Sequence, residues 1–404
     1  MSEILIAGGG FAGLWAALSA QREIEASAAD IRVTVISDDD HLTLRPRLYE
    51  AEPERFRVPL RPIFDAVGVR FLSGRVSVLD SAGAAVAGDG GLGTVAYDRL
   101  ILATGSQLAP LPVPGAETHA FDVDNWRAAM ALDAHLADLA TLPQPPVGDT
   151  VVVIGGGFTG IEIALEMRDR IASHADPARA AAARIILVEQ ADVVGEELGD
   201  NPRPTIEAAL AEARVEIHLG ATVAAINGDG VSLSNGKSID AQTVVVAVGM
   251  RASPLTAELG VDRDALGRLP VDEMLRVIGV PGIYATGDVA HALVDEDGHA
   301  ALMSCQHAMT MGRYAGYNAA RDLLDLSLEP YAQARYVTCL DLGRSGAVFT
   351  QGWSREVEIT GAEAKKIKRR INGEVIYPPT GSKAEILAAA TLVPAHHKAS
   401  PSTA

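Results

Sequence analysis

Residues 4–13 read Ile4-Leu5-Ile6-Ala7-Gly8-Gly9-Gly10-Phe11-Ala12-Gly13, and the pattern returns at 151–160 as Val151-Val152-Val153-Ile154-Gly155-Gly156-Gly157-Phe158-Thr159-Gly160. Each copy is a short apolar run, then G-x-G-x-x-G, then helix-forming residues. Such an apolar run predicts a strand buried on both faces, as in a parallel sheet. The first glycine of each motif (Gly8, Gly155) permits the tight turn. The second (Gly10, Gly157) lets a pyrophosphate approach the backbone, and the third (Gly13, Gly160) lets the following helix pack on its strand. Free N–H groups and the dipole at that helix start then face the phosphates. Gly8, Gly10, Phe11, Ala12 and Gly13 are therefore candidates for holding one dinucleotide, and Gly155, Gly157, Phe158, Thr159 and Gly160 for a second. One glycine motif says little, but two in strand–turn–helix context predict two dinucleotide sites.

The repetition extends beyond the glycines. Gly155 follows Gly8 by 147 residues, and Gly249 follows Gly105 by 144. Near-equal offsets mark a repeated unit. In each unit a second strand is predicted, over 31–36 and 184–188, and an acid at its end commonly binds a ribose. The first unit has Ser37 there with Asp38 behind it, so the ribose contact is read as Ser37 or Asp38, with an acidic surface turn as the alternative. The second has Glu189, whose alternative is a solvated strand-end acid. A carboxylate accepts from a 2′-hydroxyl and repels a 2′-phosphate. Gln190 and Ala191 bring no compensating arginine, so NADH is expected over NADPH. Ala103-Thr104-Gly105 is mirrored by Val248-Gly249, and a further apolar run, Ile283-Tyr284-Ala285, ends in Thr286-Gly287-Asp288. Thr104, Gly105, Gly249 and Gly287 join the cofactor-binding candidates.

The 404 residues are enough for two or three domains at roughly 100–200 residues each. A net charge of -18 disfavours binding nucleic acid or anionic membranes through the whole surface. Met1-Ser2-Glu3 leads directly into the first strand, which argues against a signal peptide. No uninterrupted apolar stretch approaches the about 18 residues of a membrane helix. Cys305 and Cys339 are the two cysteines, and neither belongs to a C-x-x-C. That spacing argues against dithiol chemistry and structural zinc, and it fits a reduced cytoplasm. His307 lacks a second ligand at helical spacing, so no metal site is read.

Between and after the repeats the pattern is less regular. His41 to Tyr49 is too rich in proline and arginine for a regular element and is read as a loop. Pro110, Pro112 and Pro114 mark a connection between domains. Asn125 to Leu142 reads as a helix closed by Pro143-Gln144-Pro145-Pro146. Strands are expected near 215–219, 222–226 and 230–239, and a long helix from Leu302 to Leu324. Short strand-like runs over 69–103 surround a Gly- and Ala-rich turn at 88–93. Strand-like runs at 335–340 and 347–349 precede a helix carrying Lys365, Lys366, Lys368, Arg369 and Arg370. That charge run is read as a solvated face, with weak membrane contact as the alternative. The tail from Ala395 onward is expected to be disordered.

These pieces in this order resemble the two-dinucleotide flavoprotein family of pyridine-nucleotide oxidoreductases, over roughly residues 1–325. Within it they are most similar to type II NADH:quinone oxidoreductases. The similarity rests on His41...Arg45-Pro46...Leu48-Tyr49, Gly157-Phe158-Thr159-Gly160-Ile161-Glu162, Ala285-Thr286-Gly287-Asp288 and Cys305-Gln306...Gly312-Arg313-Tyr314. The resemblance implies an α/β fold with two Rossmann-like domains, the NAD domain inserted into the FAD domain, and a small α+β C-terminal region. The implied boundaries are 1–113 and 251–326 for FAD, 114–250 for NADH, and 327–404 for the remainder. It implies that Asp288 binds the ribitol side of FAD, that Arg45, Gln306 and His307 line the acceptor face where Arg45 also borders FAD, and that Glu162 lies near the nicotinamide. A dipole-stabilised surface acid is the alternative for Glu162, and a satisfied helix residue for His307. The implied partner is a small quinone-like acceptor, with at most weak peripheral contact with the inner membrane face and a homodimer left open. Sulfide:quinone chemistry needs a second-repeat cysteine that this sequence lacks. Reduction of a ferredoxin- or rubredoxin-type protein and slow-turnover redox sensing are the remaining rivals.

Overall fold

The computed structural model describes residues 2–79, 85–89, 93–143, 149–333 and 335–392. The middle of the 88–93 turn, residues 144–146 of the proline run and the tail from Ala395 lie outside the described residues. Strand Ser2–Ala7 sits at the centre of a five-stranded parallel sheet. Ile31–Ser37 and then Arg70–Ser73 lie on one side of it, and Arg99–Leu102 and then Ile283–Ala285 on the other. Ile4, Leu5 and Ile6 are wholly buried because helices and loops cover both faces of the sheet. The second repeat builds a four-stranded parallel sheet in the same order: Val215–His218, Arg184–Val188, Thr150–Ile154, Thr243–Val246. Each repeat also carries a three-stranded antiparallel meander before its last strand. In the second meander the 230–239 run divides into Gly230–Leu233 and Ser238–Asp240, because the Asn235-Gly236 turn folds it back on itself.

Ile283–Ala285 completes the first sheet after the second has been built, so the second repeat is inserted into the first. The two chain crossings, Ser106–Leu108 and Met250–Ala252, pair antiparallel. Helix Phe11–Ser27 follows the first glycine turn, and the long helix Cys305–Leu323 lies directly on it. A Cβ at Gly312 or Gly316 would sit 2.4 Å from Ala12 O or 2.0 Å from Ala16 O, so the two backbones touch.

The loop expected over 41–49 is more regular than its composition suggests. His41–Thr43 pairs with Arg57–Pro59, and Arg45–Arg47 forms one 3₁₀ turn. Proline stands at the second position of that turn, where its missing N–H costs nothing. The C-terminal region is an antiparallel sheet of Val337–Asp341, Ala347–Gln351 and Glu356–Thr360 with helix Gly361–Arg370 laid across it. A last helix, Lys383–Ala389, starts with a Ser382/Glu385 capping box and returns to the first-repeat helix through Lys383 and Glu25.

Candidate functional site

Both glycine turns obey one stereochemistry. Gly8 and Gly155 have φ of +113° and +105°, and a Cβ on either would lie 2.3 Å from a carbonyl oxygen, of Ala103 and Ala247 respectively. Gly13 and Gly160 press on the preceding turn, where a Cβ would come within 1.9 Å of Gly8 O and 1.8 Å of Gly155 O. Gly10 differs: its φ is an ordinary -73°, and a Cβ there would meet nothing within 4 Å. The first-repeat helix therefore starts beneath open space, and that space is the cradle a pyrophosphate needs. Gly105 and Gly249, at the ends of the equivalent strands, also face open space.

The second-strand ends correspond between repeats. Glu189 Oε2 accepts from Gly156 N at 2.5 Å, and Oε1 accepts from Ala191 N at 2.7 Å. Ser37 occupies the same place beside Gly9, where a Cβ would lie 3.0 Å from its Oγ. Asp38 instead pairs with Arg75, and both are exposed.

Where the chain crosses between sheets, Arg45 gathers several candidates. Its guanidinium donates to Asp124 O at 2.9 Å, Asp124 Oδ1 at 2.5 Å, and Ser106 O and Oγ at 3.2 Å. Asp288 Oδ2 accepts from Ser106 Oγ at 2.6 Å and lies 3.8 Å from Arg45. Burial raises the Asp288 carboxyl, with Arg45 and Ser106 opposing the shift. Thr104 and Gly105 immediately precede Ser106, and Gly287 packs on Ala12. The first-repeat candidates thus converge at one end of the first sheet. These residues fit FAD: an open helix start for the pyrophosphate, a hydroxyl at the ribose position, and a polar group of Arg45, Ser106 and Asp288 beyond it.

Glu162 is a buried acid at 4% exposure, which removes the surface-acid reading. Its Oε1 accepts from Lys368 Nζ at 2.8 Å and from Asp341 N at 2.9 Å. Burial pushes its carboxyl up to about 7, with the Lys368 ammonium opposing and the Asp341 charge adding to the rise. Lys368 is itself buried, 5.4 Å over the Tyr49 ring and 5.6 Å over Phe158. Asp341 also pairs with Lys365, and its Oδ2 accepts from the Tyr49 hydroxyl at 3.0 Å. Here the solvated-face reading of the basic helix is corrected. Lys365 and Lys368 turn inward because the helix lies over a sheet end that presents carboxylates, and exposed Lys366, Arg369 and Arg370 form the outer face. Among the described residues, no helix is long and apolar enough to cross a membrane.

Glu166 and Arg170 continue the face of Glu162 one and two turns further along. Burial pushes Glu166 up to about 8, with Asp341 adding to the rise. Arg170 is wholly buried, donating to Leu48 O at 3.0 Å and Ala129 O at 3.2 Å. Sequence reasoning gave no site role to Glu166, Arg170, Lys368, Asp341 or Tyr49. One signal was available: the i, i+4, i+8 spacing of Glu162, Glu166 and Arg170 on a helix whose other residues are largely apolar.

Gln306 donates to Val337 O at 3.3 Å, tying the start of the long helix to the C-terminal sheet. The expectation that His307 faces the acceptor is corrected. Its ring is fully buried, close to Ser304 Oγ (3.0 Å from Nδ1) and stacked against Tyr336 at 5.5 Å. Tyr336 stacks in turn on Trp353 at 4.6 Å. Burial pushes His307 down to about 4, so near neutrality it is an uncharged imidazole that can hydrogen-bond but has no acidic proton to give. Cys305 and Cys339 are unpaired. Burial pushes their thiols up to about 11 and about 12, so neither is a thiolate nucleophile at neutral pH.

The family model described as pyridine nucleotide-disulphide oxidoreductase matches residues 2–312. A Mycobacterium tuberculosis protein called NADH dehydrogenase-like is 45% identical over 396 residues, 96% of this chain and 98% of that one. A type II NADH:quinone oxidoreductase of Staphylococcus saprophyticus is 25% identical over 392 residues, 93% of this chain and 95% of that one. Among solved structures, NDH2 of Plasmodium falciparum in complex with NADH aligns with TM-score 0.76 at 15% identity, covering 96% of each chain.

Proposed function

We propose, from the premise that this chain belongs to the pyridine nucleotide-disulphide oxidoreductase family, that it passes reducing equivalents from NADH through FAD to a small quinone-like acceptor. Membership makes it an FAD-dependent NAD(P)H oxidoreductase, and the acceptor is the step beyond that. The observation that carries the reading is the state of the two cysteines. Both thiols are held protonated by burial, and neither has a disulfide partner, so the disulphide branch of the family's chemistry has no relay here. The whole-length likeness to a protein named as a quinone oxidoreductase supports the same choice.

Bound FAD supplies hydride acceptance and electron release. The chain's own residues supply binding, orientation and charge. The open first-repeat helix start and Ser37 hold the FAD diphosphate and ribose, and Arg45, Ser106 and Asp288 bound its far end. Glu189 holds the ribose of NADH and rejects a 2′-phosphate. Glu162 stands on the nicotinamide side and Gln306 on the acceptor side. With His307 uncharged, Glu162 at about 7 exchanges its proton near neutral pH, beside Glu166 at about 8, and Lys368 keeps the charged form of Glu162 accessible.

The test is anaerobic stopped-flow reduction of the flavin by NADH, followed by mixing with soluble quinones, a ferredoxin-type protein and oxygen in parallel. Rapid reoxidation by quinones is expected. Reoxidation by the protein acceptor alone would overturn the proposal in favour of a redox-protein reductase, and slow reoxidation by every acceptor in favour of a sensor.

A further inference from the structure

The two glycine turns share one backbone conformation but differ in what lies above their second glycine. Above Gly10 the space is open, whereas above Gly157 it is filled by a carboxylate. Glu197 Oε1 accepts from Phe158 N at 3.0 Å, and a Cβ on Gly157 would lie 2.7 Å from that oxygen. Glu197 belongs to the short turn Glu196–Leu198, which is fastened beside the glycine turn: Gly195 N donates to Gly156 O at 2.9 Å, and Leu198 is buried. On its far side Asn201 donates to Ser354 O at 2.8 Å in the C-terminal hairpin. The backbone of the turn is therefore fixed while the Glu197 side chain itself is exposed. A helix start with free N–H groups and a positive dipole end draws an anion, and here a side chain of the same chain provides it.

We propose that Glu197 is a resident anion at the second-repeat helix start that competes with the pyrophosphate of the incoming nicotinamide dinucleotide, so that binding requires its carboxylate to swing aside. This rests on the second repeat being the NADH site. A carboxylate and a pyrophosphate cannot share one set of N–H donors, and their charges repel. The displacement weakens binding of NADH and of NAD⁺ alike, because both carry the same pyrophosphate, and it hastens release of the oxidised product. It also keeps Phe158 N satisfied when the site is empty, which the first repeat leaves to its cofactor.

The experiment is calorimetric titration of the FAD-loaded protein with ADP-ribose, which carries the pyrophosphate but no hydride, and with adenosine, which carries neither. Wild type is compared with Glu197→Gln, Glu197→Ala and the neighbouring Glu196→Gln. ADP-ribose should bind about tenfold tighter to both Glu197 variants, and equally to wild type and Glu196→Gln. Adenosine should bind all four proteins alike. ADP-ribose affinities of the Glu197 variants within twofold of wild type would overturn the proposal, as would an equal tightening toward adenosine. If wild type binds neither ADP-ribose nor NADH, the reading of the second repeat as the NADH site itself fails, an outcome distinct from equal binding by all four proteins.

Discussion

Replacing Gly10 by valine separates binding of the cofactor from folding. Gly10 has φ -73° and ψ -167°, a region open to any residue, and a Cβ there touches nothing within 4 Å. The loss of a glycine cap costs a few tenths of a kcal/mol to ~1, and restricting the unfolded chain returns a similar amount. The fold should therefore change by less than ~1 kcal/mol. The isopropyl group, however, projects into the space above the helix start. It would deny a pyrophosphate one or two backbone hydrogen bonds, worth about 1.5–3 kcal/mol each to a charged group. FAD affinity should drop by between about 10-fold and about 10⁴-fold, and flavin content per purified chain should fall with it. Gly13→Ala is the comparison: its Cβ would lie 1.9 Å from Gly8 O, a backbone atom that cannot step aside. Overpacking of that kind costs about 1–3 kcal/mol. Melting temperatures must be compared on FAD-free protein, since bound cofactor raises stability by mass action. Flavin absorbance per chain and apoprotein melting together decide the matter. A yellow Gly10→Val protein with normal flavin content would refute the assignment of the first cradle, and wild-type melting of Gly13→Ala would refute the close-approach argument.

Glu189→Ala should narrow the preference for NADH over NADPH by about tenfold, the rough value of one charge-assisted contact, as read by flavin reduction rates; a wild type that prefers NADPH would contradict the ribose role. Lys368→Met strands the buried Glu162 carboxylate and should cost about 3–5 kcal/mol, most of it recovered in the Lys368→Met/Glu162→Gln double variant, as read by denaturant titration. Glu166 titrates in the fold at about 8, against an ordinary 4.5. A raised carboxyl contributes stability that is complete below the unfolded value and is lost as pH rises through the folded one, so the loss runs from about pH 4.5 to about pH 8. The ceiling is ~5 kcal/mol at ~1.4 per unit, and partial exposure reduces it to roughly 2–3. Glu166→Gln should match wild type at pH 4.5 and exceed it in stability by that amount at pH 9, and a gap that does not change with pH would refute the burial argument.

The two sheets were legible because parallel strands buried on both faces write themselves as unbroken apolar runs, and because the third glycine of each motif is required by the turn five residues before it. Glu189 was legible for the same local reason, since a strand end has a fixed place relative to the glycine turn before it. The pairing of Glu162 with Lys368 was not. The two residues are 206 positions apart, and charge density along the 365–370 run says nothing about which lysines turn inward. That depends on the helix lying across a sheet whose end presents Asp341, a tertiary fact. His307 failed for a related reason. A polar residue at the start of a long helix reads as accessible until Tyr336 and Trp353 arrive from a region whose strand faces the composition does not reveal. The short pairing of His41–Thr43 with Arg57–Pro59 was hidden by arginines and prolines that its extended edges tolerate.

The buried charges also tie the C-terminal region to the second-repeat helix. Glu162 leaves the glycine turn on the inner face of its helix, where water is excluded, and alone it would hold its proton well above neutrality. Its two partners, Lys368 Nζ and Asp341 N, both come from the C-terminal sheet and helix. Tyr49, from the segment that also carries Arg45, closes the group through Asp341. Three chain segments thus set the protonation of one carboxyl at about 7. His307, at about 4, stays neutral across the same range. His307 therefore does not change charge near pH 7, and a charge change between about pH 7 and pH 8 belongs to Glu162 and Glu166 together. The C-terminal region therefore acts electrostatically on Glu162, through Lys368 and Asp341.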